Sequence, residues 1–282
     1  MRPPLLASDL LASRPLLRRL LRDSRARVGL TVLLLIALSA IFAPLLSPND
    51  PITQLDIVEL KSRPPSFAHP FGTDPLSRDV LSRVLFGTRV SLAVGLGAVV
   101  LAMTFGIAVG SVAGVVGGWL DAVLMRLVDA ALSIPRVLVL ILVAALWGSL
   151  DVVPLTLLMA GTGWFSVSRL VRAETIAIKE REFIVAARAL GVSRMGLLGR
   201  HVLPNVLAPA IVAATLGIAN VILLEAGLSY LGIGVRQPAT SWGSIIQDGA
   251  EHGTGTDLWW LTVFPGLAIL VTVFACNAVG DA

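Results

Sequence analysis

The chain has 282 residues, of which 56% are hydrophobic and only 14% are charged, whereas a soluble domain has about 25% charged residues. This composition excludes an ordinary soluble protein and favours an all-α polytopic membrane protein. The net charge of +4, the single cysteine and the three widely separated histidines form no pattern for nucleic-acid binding, a disulfide framework or a metal site.

The first element is a basic leader, residues 1–27, with seven arginines against two aspartates. Positively charged flanks stay in the cytoplasm, so the N-terminus is expected there. An uncharged apolar run of 21 residues follows from Val28 to Pro48. It is too long for the apolar core of a cleaved signal peptide, and residues 28–48 are therefore predicted to be a retained first transmembrane helix.

Residues 49–89 form a polar, proline-rich segment that is expected outside the membrane. Within it, residues 79–86 place apolar side chains at helical spacing, with Arg78 and Arg83 on the opposite side. This pattern predicts an amphipathic helix lying at the membrane surface.

Residues 90–282 are predicted to form a core of five further transmembrane helices, which gives six in all and returns the C-terminus to the cytoplasm. The third helix is the least regular, since it extends back to about Val123 and contains Pro135, which predicts a kink or break. Gly106, Gly110 and Gly114 recur every four residues and predict close packing against another helix. The uncharged runs cover residues 90–120, 137–150, 152–168, 202–224 and 258–280.

A charged insert, residues 181–204, interrupts this apolar core. Phe183, Ala187 and Leu190 recur on one helical face, Gly191 is placed to end the helix, and Ser193 is placed to cap a second short helix. The periodicity leaves two interpretations open. The insert is either a docking element for a soluble partner or an interfacial helix anchored to acidic lipid.

The insert resembles the EAA loop of ABC-importer permeases, because Ala186, Ala187, Gly191, Leu203 and Pro204 have the spacing of that loop. Two positions depart from the pattern, with Val185 in place of glutamate and His201 in place of isoleucine. The resemblance implies a coupling helix that docks in a groove of an ATPase subunit. The implied interface comprises Arg181, Glu182, Phe183, Val185, Ala186, Ala187, Arg188, Leu190, Gly191, Leu203 and Pro204.

The resemblance extends from about His69 to Ala282. Over this range the chain is similar to the second-permease type of the dipeptide/oligopeptide/nickel branch. Its motifs are HPFGTDPLSRDVLSRVLFGTRVSL, GGWLD at 117–121, EAGLSYLG at 225–232 and SWG at 241–243. It implies the type I ABC-importer permease fold in a bacterial inner membrane. The implied partners are a sister permease, two ATPase subunits and an external solute-binding protein. Peptides are the favoured cargo, with nickel or another small solute as the alternative.

No phosphate-binding P-loop is present, since neither Lys61 nor Lys179 follows the required glycine pattern. The chain is therefore expected to be non-catalytic and to bind no cofactor, with ATP and magnesium used by partner subunits. An ion-coupled secondary transporter is the less favoured alternative. Asp129 and Glu225 are candidates for the translocation path or for structural polar contacts. Arg236, Trp242, Asp248 and Glu251 are candidates for the binding-protein interface.

Overall fold

A computed structural model of the chain describes residues 23–252 and 257–281. Most of the basic leader, residues 1–22, lies outside this range. The described residues are dominated by helices, and two isolated β-bridges join Thr73 with Asp79 and Leu150 with Val235.

The first helix, α1 (Ser24–Ile41), begins after Asp23, whose carboxylate accepts a hydrogen bond from the backbone N of Arg25 at 2.7 Å. The chain breaks at Phe42 and continues as the short helix α2 (Ala43–Leu46). The predicted first span, 28–48, therefore begins earlier in the structure and is divided near its end. A second short helix, α3 (Ile57–Leu60), follows.

Helix α4 (Val80–Val116) has 37 residues and is roughly 55 Å long, well beyond the ~30 Å of a hydrocarbon core. The prediction of a separate interfacial helix over 79–86 is wrong, because these residues form the first turns of α4. Val80 and Arg83 are buried there. The charges on this segment are neutralised by carboxylates elsewhere in the fold, so the segment does not need a water-facing side.

The predicted break at Pro135 is confirmed. Helices α5 (Gly118–Leu132) and α6 (Arg136–Trp147) meet there at an angle of 72°. The remaining helices are α7 (Val152–Lys179), α8 (Glu182–Ala189), α9 (Arg194–Leu197), α10 (Leu203–Tyr230), α11 (Trp242–His252) and α12 (Trp260–Gly280), with a π-helical stretch at Leu198–Val202.

Within the described residues, four helices are long and apolar enough to cross a membrane, or five if the bent pair α5–α6 is one span. The predicted count of six also includes α7. Its 28 residues are long enough, but it carries several hydroxyl groups and charges, and its composition excludes it from the apolar set. The length of α7 therefore agrees with the prediction that it crosses the membrane, but its polar composition does not.

Helices α4 and α7 form the most extensive contact between elements of the bundle. The predicted glycine stripe lies on this contact and is confirmed as a close-packing surface. A Cβ atom on Gly106 would lie 2.5 Å from Val167 Cβ, and one on Gly110 would lie 2.3 Å from the carbonyl O of Ser168. Only glycine lets the two backbones approach this closely.

We expect Gly110→Ala to destabilise the detergent-purified protein by about 1–3 kcal/mol or more, because the added methyl meets backbone atoms that cannot rotate away. The measurement is the melting temperature, which should be lower for Gly110→Ala than for the wild type. Gly161→Ala is the matched control, since a Cβ on Gly161 in α7 meets no atom of the described structure within 4 Å. Equal stabilities of the two variants would contradict the assignment.

The bundle has two distinct ends. Helix α8 packs at the C-terminal end of α4, where Val115 and Ile184 share one buried apolar cluster. Helix α11 packs at the N-terminal end of α4, where Val80 and Trp242 share another. Helix α1 packs on α12, and α10 packs on both α4 and α12. The insert and helix α11 therefore lie at opposite ends of the molecule.

Candidate coupling helix and central cavity

Helix α8 ends as the sequence predicts. Gly191 has a φ of +83°, which favours glycine, and Val192 N donates to the carbonyl O of Ala187 at 3.1 Å. Ser193 Oγ then accepts from Gly196 N at 3.2 Å, as expected for the cap of a second helix. The predicted second short helix is present as α9 (Arg194–Leu197), but it is not separate from the next span, because residues 195–230 continue as one helix through the π-helical stretch.

Two contacts fix α8 to the bundle. Ile184 is fully buried in a cluster that includes Val115 and Val202. At the junction of α7 and α8, Lys179 Nζ donates to the carbonyl oxygens of Gly114 at 2.7 Å and Val115 at 3.1 Å. These carbonyls end α4, where a cation is favourable. These contacts hold α8 against the ends of α4 and α7.

The outer surface of α8 carries exposed apolar side chains. Phe183 is 43% exposed, Val185 54% and Leu190 86%. The predicted contact face of Phe183, Ala187 and Leu190 is divided, because Ala187 is half-buried and packs with the Ile184 cluster. Val185, which replaces the glutamate of the loop pattern, extends the exposed apolar surface. Arg181, Glu182, Ala186, Arg188, Gly191 and Pro204 are also exposed, whereas Leu203 is half-buried.

A cavity of about 340 Å³ lies between α4, α6, α7 and α10. Apolar side chains such as Val99 and Val221 line most of it, and Arg136 and Asn220 supply polar groups. Arg136 donates from Nη2 to the carbonyl O of Met159 at 2.7 Å and from Nε to Thr162 Oγ1 at 3.0 Å. In the sequence, Arg136 directly precedes the uncharged run of residues 137–150. Only the packing of four helices shows that it borders a cavity.

The two predicted path candidates lie elsewhere. Asp129 is exposed and is 3.5 Å from Arg169 Nη1, across from α7. Glu225 is fully buried and accepts hydrogen bonds from Ser229 Oγ at 2.7 Å and Ser91 Oγ at 3.3 Å. Its carboxylate joins α10 to α4, which is the structural alternative that the sequence left open.

The prediction of a docking surface at the α11 end is wrong for Trp242 and Asp248. Trp242 is 1% exposed, and its Nε1 donates to the carbonyl O of Val84 at 3.2 Å. Asp248 is paired with arginines of the preceding segment. Both side chains turn inward because α11 packs its apolar side on α12 and the start of α4. Arg236 and Glu251 are exposed.

An ion-pair cluster at this end was not predicted. Asp74 Oδ2 lies 2.6 Å from both Arg78 Nε and Arg83 Nη1, and Asp248 Oδ2 lies 2.7 Å from Arg83 Nη1. All four side chains are nearly or fully buried. The i,i+4 spacing of Asp74 and Arg78 could have indicated one pair. Nothing local indicates Asp248, which is 170 residues from Arg78.

Comparison with known proteins gives two family matches. Residues 106–282 match the profile of the binding-protein-dependent transport system inner membrane component family, and residues 14–65 match the N-terminal TM domain of oligopeptide transport permease C.

Full-length relatives agree with these matches. A Brucella abortus protein, named provisionally as a peptide transport system permease, is 39% identical over 268 residues, covering 94% of this chain and 87% of the relative. The dipeptide transport system permease protein DppC of Bacillus subtilis is 36% identical over 267 residues, covering 94% and 81% respectively.

Proposed function

Since the chain belongs to the family of binding-protein-dependent transport system inner membrane components, the multi-pass permeases of ABC importers, we propose that it forms half of a path carrying peptides across a bacterial inner membrane. Its fold is that of the type I permeases. Peptide cargo is supported by the names of its relatives, one of which is a dipeptide permease. The chain itself is non-catalytic in this proposal.

A sister permease completes the path, two ATPase subunits bind ATP and magnesium, and an external solute-binding protein delivers the peptide. The observation that carries this proposal is α8, which is tied to α4 and α7 at its inner side and presents exposed apolar side chains at its outer side. Such a helix is suited to a partner that binds it and displaces it. When the ATPase subunits bind ATP and close on each other, they would displace α8 and thereby reorient the transmembrane helices.

The orientation follows from charge. The basic leader and the insert carry most of the arginines, so both termini and α8 lie in the cytoplasm in this proposal. The α11 end then faces outward. Of the predicted binding-protein contacts, Arg236 and Glu251 remain available on that surface.

We expect proteoliposomes containing this chain, its sister permease, both ATPases and the loaded binding protein to take up a labelled peptide only with ATP. Liposomes containing this chain alone should take up none. Peptide uptake by the chain alone, driven by an ion gradient without ATP, would instead establish a secondary transporter and overturn the proposal.

A further inference from the structure

Arg136 is a partly buried cation without a carboxylate partner among the described residues. Its two hydrogen bonds go to neutral oxygens, those of Met159 and Thr162. Arginine remains charged even when buried, and an ionised side chain without a counter-ion is costly in a low-dielectric environment. Charged side chains within membrane segments face a cavity or path and usually have a partner. No carboxylate of the described residues compensates the charge of Arg136, so this guanidinium is suited to bind an anion from outside the chain.

The surroundings of Arg136 leave room for such an anion. Its side chain borders the cavity of about 340 Å³, and Asn220 on α10 lines the same cavity. Gly163 leaves space for the guanidinium, since a Cβ there would lie only 3.3 Å from Arg136 Nη2. The volume is at the lower end of that of small-molecule sites. The other walls are mostly apolar, so the guanidinium dominates the local electrostatics.

We propose that Arg136 binds the carboxylate of the transported solute within this cavity. A guanidinium presents donors in a planar fork that matches a carboxylate, and the apolar walls suit the remainder of a short peptide. The contact sets a preference for solutes with a free carboxyl group. This inference rests on the proposed function and names the chemistry that the path recognises.

The test measures equilibrium binding of a labelled dipeptide and of its C-terminal amide to the assembled permease–ATPase complex without binding protein. We expect the free acid to bind about tenfold or more tightly than the amide, as a charge-assisted hydrogen bond provides. Arg136→Gln should abolish the difference, and Arg136→Lys should retain part of it. Arg126→Gln is the matched control, because Arg126 is an exposed arginine of α5 that does not line the cavity. It should keep the full preference.

Equal binding of acid and amide to the wild-type complex, or no binding of either, would overturn the inference. That result would arise if an acidic side chain of the sister permease already neutralises Arg136. A preference that survives Arg136→Gln would also overturn it. Each variant is assayed only after it has assembled into the complex, so a variant that misfolds is recognised by its failure to assemble. ATP-driven uptake by the wild-type complex tests the proposed function independently, since it can succeed while the acid and the amide bind equally.

Discussion

Asp74→Ala is expected to destabilise the protein by about 3–5 kcal/mol, the range for removing one partner of a buried ion pair. Asp74 is fully buried and contacts both Arg78 and Arg83, so its loss leaves two buried guanidinium groups facing the single carboxylate of Asp248. Asp74 Oδ1 also accepts from the backbone N atoms of Leu76 and Arg78, each at 2.8 Å. The variant therefore loses the carboxylate that compensates the two arginines. It also loses the hydrogen bonds that hold the turn preceding α4.

The measurement is the thermal stability of the detergent-purified protein, followed by the fraction that remains monodisperse after heating. Glu59→Ala is the matched control, because Glu59 is an exposed carboxylate in the same external segment and is expected to change stability little. Asp74→Asn should lie between the two, since it keeps one acceptor oxygen and loses the charge. If Asp74→Ala were no more harmful than Glu59→Ala, the cluster would not stabilise this end of the bundle.

Leu190→Asp is expected to weaken binding of the ATPase subunit by tenfold or more. Leu190 is 86% exposed at the end of α8, and in the proposed complex an aspartate there would be buried without a partner. The substitution leaves the core of the isolated chain untouched, so its thermal stability should equal that of the wild type. Titration of purified ATPase onto the permease pair measures the effect, and peptide-stimulated ATP hydrolysis should fall with it.

Val58→Asp is the control for this prediction. Val58 is 90% exposed in α3, within the segment proposed to lie outside, so the same apolar-to-acidic change occurs far from α8. It should leave ATPase binding unchanged. The coupling role would be refuted by wild-type affinity in both Leu190→Asp and Val185→Asp, since Leu190 and Val185 are the most exposed large apolar side chains of α8 and its C-cap.

The insert separates what local pattern can predict from what it cannot. The end of α8 at Gly191 and the cap at Ser193 were predictable, because each depends on residues within one or two turns. The inner and outer sides of α8 were not, because Ala187 is half-buried only through its contact with the Ile184 cluster. Periodicity indicates that a helix has two faces, and only the neighbouring helices decide which face is covered.

In the external segment, the burial of charged side chains also depends on residues that are distant in sequence. Arg78 and Arg83 have the spacing of a water-facing helical side, and the sequence predicts a surface helix. In the structure these arginines are buried because Asp74 and Asp248 neutralise them. The family of the protein was nevertheless recognisable, since motifs from about His69 onwards retain their order and spacing.

The sequence by itself determined the helical membrane class, the break at Pro135, the glycine stripe and the end of α8 at Gly191, because composition, turn chemistry and helical period act over a few residues. Tertiary structure alone decided that Trp242 and Asp248 are internal, that Glu225 ties α10 to α4, and that Arg136 borders a cavity. These features join side chains from distant parts of the chain, and their burial follows from how the helices pack.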